Sequence, residues 1–208
     1  MVAGISQIAF DVGASVGSNI LYLGSSNSGT GTPDRITVTE AVAAGDTIIV
    51  FFSSTGVGAP ADNSLNTYTA LNTVLTLIAE CYGVLSCAAA SAGTLIITPP
   101  TTCSGVMYMH YSGVLAFDTI TAAQTGSSSV PNPGNITPTH SSETIVVGEF
   151  SNTLETAGSS YALRKAGSNL RNTWGGQDYI GAPGGSNSTA FGTSASSWSA
   201  IAVTLISK

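Results

Sequence analysis

Two kinds of hydrophobic pattern run along this chain, and both predict β-strands. The segment "RITVTEAV" (35–42) alternates apolar and polar residues, which predicts a half-buried strand. The segment "GDTIIVFFSS" (45–54) is continuously apolar at its centre, which predicts a strand buried on both faces. Further strands are predicted at 73–83, 93–99, 104–114, 143–150, 160–166 and 198–207.

The predicted strands are bounded by clusters of Gly, Pro, Asn and Ser, and no window has a sustained helical period. This pattern predicts an all-β fold, an antiparallel β-sandwich, as one domain over residues 35–208. Residues 1–34 are expected to form an N-terminal arm or an added edge strand. Long loops are expected at 24–34, 122–142 and 172–197, the last of them Gly-rich with embedded aromatic residues.

The polar surface must come mainly from hydroxyl groups, because charged residues make up only 8% of the chain. The sequence contains 29 Ser and 26 Thr. Lys and Glu, which commonly protect exposed strand edges from association, are therefore scarce. This composition indicates a protein that forms permanent assemblies.

The net charge of −6 and the five basic residues make some partners improbable. The only basic cluster is Arg164, Lys165 and Arg171, so neither a nucleic acid nor an anionic membrane is an expected partner. The N-terminal residues lack the pattern of a signal peptide, and the apolar runs are too short for a transmembrane helix. We therefore expect synthesis in the cytoplasm.

Three cysteines, Cys81, Cys87 and Cys103, cannot all pair within one chain. One disulfide, Cys81–Cys87 or Cys87–Cys103, would leave a free thiol, but three reduced thiols are the favoured interpretation. A zinc site formed by these residues with His110 is disfavoured because the spacing contains no C-x-x-C pair. We expect no cofactor and no metal.

His110 stands in "VMYMHYSGVLAFD" with Ser112 and Asp118, residue types that form hydrolytic triads. The segment has strand spacing, and Ser112 lacks the G-x-S-x-G turn that exposes a nucleophile. We therefore interpret His110 as a histidine on a strand face, either hydrogen-bonded or solvated. The protein is expected not to be an enzyme.

Two other segments carry polar or aromatic groups of functional interest. "PADNSLNTYT" (60–69) contains Asp62, Asn63, Ser64 and Asn66, but it lacks the features of a calcium loop and favours an Asx-rich turn. "NTWGGQDYIGAPGG" contains four residues that are candidates for a contact with a glycan or with another subunit: Trp174, Gln177, Asp178 and Tyr179.

Several phrases occur in an order that resembles a β-sandwich domain of bacteriophage virion proteins and some bacterial surface proteins. They are "AAGDTIIVFFSS", "DNSLNTYT", "MHYSGVLAFD", "SSETIVVGEF" and "WSAIAVTLIS", and they cover about residues 35–207. The resemblance implies a jelly-roll-like, non-enzymatic module displayed on a particle or cell surface.

The leading hypothesis is therefore a bacteriophage capsid decoration or cement protein, located on the virion. Its expected partners are the major capsid protein or other virion proteins, and further copies of this chain. Ile5, Ile8 and Phe10 are the candidates for anchoring it to the particle. The alternative is a carbohydrate-binding or receptor-binding module, such as the tip of a fibre. A hydrolase that uses Ser112, His110 and Asp118 ranks last.

Overall fold

The structure is a computed structural model that describes residues 18–28, 35–54, 58–73, 80–100, 103–127, 130–151, 156–166, 173–192 and 197–208. These residues form sixteen β-strands and no helix, so the predicted all-β fold is confirmed. In chain order the strands are β1 (Leu21–Asn27), β2 (Ile36–Thr37), β3 (Thr47–Ser54), β4 (Ala61–Asp62), β5 (Thr69–Thr73), β6 (Glu80–Val84), β7 (Ile96–Thr98), β8 (Cys103–Ser112), β9 (Val114–Ile120), β10 (Gln124–Gly126), β11 (Asn135–Ile136), β12 (Glu143–Ser151), β13 (Ala162–Lys165), β14 (Thr173–Ala182), β15 (Asn187–Ser188) and β16 (Trp198–Ser207).

Two large antiparallel sheets form the body of the molecule. Sheet 1 has the strand order β1-β8-β3-β6-β5. Sheet 2 has the order β10-β16-β12-β14-β13, and β9 also pairs with β16. Because the chain completes most of sheet 1 before it enters sheet 2, each sheet comes largely from one half of the sequence. The two sheets pack face to face as a β-sandwich.

Alternate residues of the central strands point to opposite sides of their sheet, and both sides are buried. In β3, Ile49 and Phe51 face sheet 2, whereas Ile48, Val50 and Phe52 face the other way. The inner cluster also contains Met107, Met109 and Tyr111 from β8, and Val146, Phe150, Trp174, Ile201, Val203 and Leu205 from sheet 2. Burial on both faces explains why "TIIVFF" has no polar alternation.

Small sheets and loops cover the outer faces of the sandwich. The three-stranded sheet β2-β7-β4 contributes Ile36 and Ile97 to the cluster on the outer face of sheet 1. The two-stranded sheet β11-β15 lies over sheet 2, where Ile136 packs with Ile145 and Val147. The predicted alternation of "RITVTEAV" is observed as alternating burial over 35–42, although only residues 36–37 form a ladder there.

The N-terminal part of the described chain joins sheet 1. Strand β1 pairs antiparallel with β8 and lies at the edge of the sheet, so for residues 21–27 the prediction of an added edge strand is correct. The predicted anchoring residues Ile5, Ile8 and Phe10 lie outside the described residues. The predicted domain boundary at residue 34 stays a prediction.

The segment 172–197 is not the long loop that its glycines suggested. Residues 173–182 form β14, which lies between β12 and β13 in sheet 2. Gly176 gives the methionines of the opposite sheet space to pack, because a Cβ atom at this position would lie 2.9 Å from Met109 Sδ and 3.0 Å from Met107 Cε, and these side chains would have to shift. The glycine leaves space for side chains of the opposite sheet, which is a reason for glycine that a sequence cannot distinguish from a turn.

Candidate functional site

His110 lies at the centre of a buried group of polar side chains on the outer face of sheet 1. Its imidazole is fully buried and contacts two carboxyl groups. Nδ1 lies 3.2 Å from Glu40 Oε1, and Nε2 lies 3.0 Å from Asp46 Oδ2. Each ring nitrogen therefore lies within hydrogen-bond distance of a carboxyl oxygen, and His110 connects Glu40 with Asp46. The group is a hydrogen-bonded Glu–His–Asp cluster.

Strand geometry explains how these residues meet. His110 shares the outer face of β8 with Tyr108, whose hydroxyl donates to Glu40 Oε2 at 3.0 Å. Asp46 belongs to the Gly-Asp turn before β3, and its carboxylate also accepts the Ala43 amide at 2.8 Å. The cluster therefore ties the segment 40–46 to β8.

Glu40 is the least buried member of this cluster, with one-fifth of its side chain exposed. Burial opposes its ionisation, but hydrogen bonds from His110, Thr39 and Tyr108 outweigh that effect and lower the pKa of Glu40 below its ordinary value. The cluster therefore favours the ionised carboxylate.

Ser112, His110 and Asp118, which were considered as a hydrolytic triad, do not form a hydrogen-bonded chain in the structure. Both ring nitrogens of His110 contact Glu40 and Asp46. Asp118 instead accepts hydrogen bonds from the hydroxyls of Thr119 and Thr139. The interpretation of His110 as a hydrogen-bonded histidine on a strand face describes its environment correctly, but it missed both acidic partners.

A sequence signal for one of those partners was present. In "RITVTEAV", Glu40 occupies the same alternation phase as Ile36, Val38 and Val42, which are all buried. An acidic residue in the apolar phase of a strand pattern must be paired or neutralised, because an isolated buried charge is costly. In the structure, His110 is one of the partners of Glu40.

The aromatic segment is buried, which corrects the expectation of a glycan-binding face at Trp174. The Trp174 side chain is fully buried between the sheets, with its ring centroid 5.5 Å from those of Phe51 and Phe150. Its Nε1 donates to the Gly105 carbonyl at 3.2 Å. A ring in this position has no solvent-facing surface to stack on a sugar.

The polar neighbours of Trp174 are engaged within the fold as well. Gln177 accepts the Gly158 amide at 2.7 Å, and Asp178 accepts Arg164 Nε at 2.8 Å and the Tyr111 hydroxyl at 3.0 Å. Burial raises the pKa of Asp178, although Arg164 and Tyr111 oppose the rise. Tyr179 is half-buried and packs edge-on against Tyr161. Gln177 and Asp178 are therefore not available to form hydrogen bonds with a ligand at the surface in this conformation.

The segment 60–69 forms the predicted Asx-type turn. Asp62 Oδ1 accepts the amides of Ser64 and Asn66, at 2.9 Å and 3.1 Å, and Oδ2 accepts the buried Tyr68 hydroxyl at 2.9 Å. A cavity of about 540 Å³ opens beside this turn, and Cys87 is the only titratable residue in its lining. Burial raises the pKa of Cys87 to about 12, so the lining provides no acid or base for chemistry near neutral pH.

Cys81, Cys87 and Cys103 are all buried, and no disulfide joins them in the described part of the chain. His110 is occupied by carboxylates rather than by thiols. Within the described part of the chain, another set of side chains has metal-binding geometry: donor atoms of Asp118, His140 and Glu143 lie within 4.8 Å of one another. Sequence inspection missed this set because 22 residues separate its first member from its second.

No protein-family model, curated protein or solved structure matches this chain. In the ranges that the structure describes, no helix is long and apolar enough to cross a membrane.

Proposed function

We propose that this chain is a non-enzymatic structural protein of a bacteriophage particle, which decorates or cements the capsid. Its partners would be the major capsid protein and further copies of itself. The order of the five phrases from "AAGDTIIVFFSS" to "WSAIAVTLIS" supports this assignment, and so does the scarcity of charge in the composition.

The observation that carries the proposal is the chemistry of the sheet edges. Of the four strands at the ends of the two sheets, β1, β5 and β10 contain no charged residue, whereas β13 contains Arg164 and Lys165. On β1, Leu21 and Leu23 are 61% and 41% exposed. Natural edge strands are usually protected by charges, so uncharged edges with exposed leucines suit a subunit that buries them in an assembly.

The polar clusters of the described residues support the same assignment. His110, Gln177 and Asp178 bond to groups inside the sandwich, where they hold strands and loops together. Such contacts suit a rigid module whose role is to fill a position on a surface. The predicted anchoring residues Ile5, Ile8 and Phe10 belong to the segment 1–17, which precedes residues 18–20 and β1 in the sequence and lies outside the described residues.

The proposal is tested with virus particles isolated from the culture that produces this chain. We expect mass spectrometry of purified particles to detect the chain, and electron microscopy to place it on the capsid. Added protein should co-sediment with particles stripped of it. Deletion of residues 1–17, which retains the buried Ile20, should abolish co-sedimentation.

Charged substitutions on the β1 edge provide a second test of the proposal. The double substitution Leu21→Lys and Leu23→Lys should weaken particle binding at least about tenfold, because lysines on an edge oppose strand association. Leu65→Lys is the matched control, since Leu65 is 90% exposed in the turn between β4 and β5. Absence of the chain from purified particles, or equal binding by the β1 and Leu65 variants, would contradict the proposal.

A further inference from the structure

Three strands and one turn bring an unusual group of side chains together at one end of sheet 2. Asp118 lies on β9 and Glu143 begins β12, and both strands pair with β16, which lies between them. His140 lies in the turn that leads into β12. Oxygen or nitrogen donor atoms of these three residues lie within 4.8 Å of one another.

Local hydrogen bonds orient the members of this group. The backbone N–H of His140 donates to Glu143 Oε1 at 2.7 Å, and His140 Nδ1 lies 3.2 Å from the same oxygen. The amide and the hydroxyl of Thr139 donate to Asp118 Oδ2 at 3.0 Å and 2.8 Å. The carboxyl groups of Asp118 and Glu143 are thus each held by a backbone amide, whereas the His140 ring is placed by contacts with the side chains of Thr139 and Glu143.

One oxygen in the group lacks a partner. The Glu143 side chain is only 1% exposed, and its Oε2 accepts no hydrogen bond. A buried carboxylate oxygen without a donor is costly, and native proteins rarely leave one unless it binds an ion or water. This oxygen is independent of the clustering of donor atoms, and a bound cation would provide it with a partner.

The carboxyl groups of Asp118 and Glu143 also lie near each other, because both contribute an oxygen to the group of donor atoms within 4.8 Å. Two negative charges at such a distance repel each other, and a cation between them would offset that repulsion.

We propose that Asp118, His140 and Glu143 bind one divalent transition-metal ion, with Zn²⁺ as the best match. A mixed set of one imidazole nitrogen and two carboxylates suits Zn²⁺, whereas Mg²⁺ and Ca²⁺ prefer oxygen ligands alone. The His140 side chain is 62% exposed, so water can complete the coordination. The ion would connect β9 to the start of β12.

Calorimetric titration of the native full-length chain with Zn²⁺ tests this site. We expect one saturable site per chain. His140→Asn and Glu143→Gln should each weaken binding at least about tenfold, as loss of groups at metal sites generally does. Ser141→Ala is the matched control because Ser141 is an exposed residue of the same turn, and it should bind as the wild type does. Circular dichroism establishes that each variant is folded.

Titration with Co²⁺ identifies the ligands by absorption. Binding at the proposed site should give ligand-field bands without a thiolate charge-transfer band. A thiolate band, or the absence of saturable binding, would overturn the proposal. Binding that is lost in His140→Asn but unchanged in Glu143→Gln would also overturn it, since that pattern describes a lone surface histidine. His140→Asn alters an exposed side chain, so it remains informative if Glu143→Gln fails to fold.

Discussion

The ionised Glu40 carboxylate should stabilise the fold through His110, and Glu40→Gln tests this with little change in volume. The substitution keeps the shape of the side chain and one acceptor oxygen, but it replaces the other oxygen by an NH2 donor and removes the negative charge. We therefore expect a lower free energy of unfolding whose cause is electrostatic and not a cavity.

The geometry sets the size of the effect. Glu40 Oε1 lies 3.2 Å from His110 Nδ1, and Oε2 accepts hydroxyls from Tyr108 at 3.0 Å and Thr39 at 2.9 Å. Breaking a fully buried ion pair costs about 3–5 kcal/mol, but one-fifth of the Glu40 side chain is exposed and solvent screens part of the interaction. Hydrogen bonds to charged groups contribute about 1.5–3 kcal/mol each, so we expect a loss of about 1–3 kcal/mol near neutral pH.

The effect should depend on pH with a defined sign. The folded-state pKa of Glu40 is lower than its ordinary value of 4.5, so folding favours the ionised form. Its contribution to stability is therefore complete above pH 4.5 and is lost as the pH falls through the folded-state pKa. The difference between wild type and Glu40→Gln should disappear in acid.

Urea unfolding followed by tryptophan fluorescence measures this difference at a series of pH values. The same substitution in a His110→Asn background is the internal control, and there it should cost much less if His110 carries the coupling. Equal costs in both backgrounds would refute the role of His110. A difference between wild type and Glu40→Gln that stays constant from neutral pH into acid would refute the electrostatic explanation.

Four further predictions concern the core, the turn and the thiols. Trp174→Ala should lower the free energy of unfolding by about 3–5 kcal/mol in urea titrations, whereas a surface tryptophan would cost little. Gly148→Ala should cost about 1–3 kcal/mol in the same assay, because its Cβ would lie 2.5 Å from the Phe51 ring. Asp62→Ala should cost about 2–4 kcal/mol, since the turn loses a buried acceptor; a change below about 0.5 kcal/mol in any of these would contradict the packing. All three thiols should resist a thiol reagent until urea unfolds the chain, and rapid labelling of the native protein would contradict their burial.

The sequence predicts the strands of this fold better than it predicts the environment of individual residues. The apolar run in "TIIVFF" forms β3, as predicted, whereas "RITVTEAV" shows the predicted alternation of burial but forms a strand only at residues 36–37. Strand β14 was missed because glycines that accommodate side chains of another sheet look the same as glycines in a loop. Which of the two applies depends on the strands that pack against the segment, and these lie far away in the sequence.

The candidate site shows the same limit. The alternation phase of Glu40 could have been read from the sequence, but its pairing with His110 spans 70 residues and depends on which strand lies above the segment. An aromatic residue beside glycines suits either a surface contact or a tightly packed interior, so the sequence leaves both open for Trp174, and the structure buries it. The group of Asp118, His140 and Glu143 forms only when β9 and β12 pair with the same strand.

The location of the acidic residues connects the composition with the proposed assembly. Eight of the eleven acidic residues lie in the described part, and six of these are buried: Asp46, Asp62, Glu80, Glu143, Glu149 and Asp178. The surface of this part therefore carries even less charge than the composition suggests, and hydroxyl groups provide most of its polarity. With so few surface charges, approach of uncharged edges such as β1 meets little repulsion, which favours association. The same arrangement places carboxylates where they need internal partners: His110 serves Glu40 and Asp46, Arg164 serves Asp178, and a metal ion would serve Glu143.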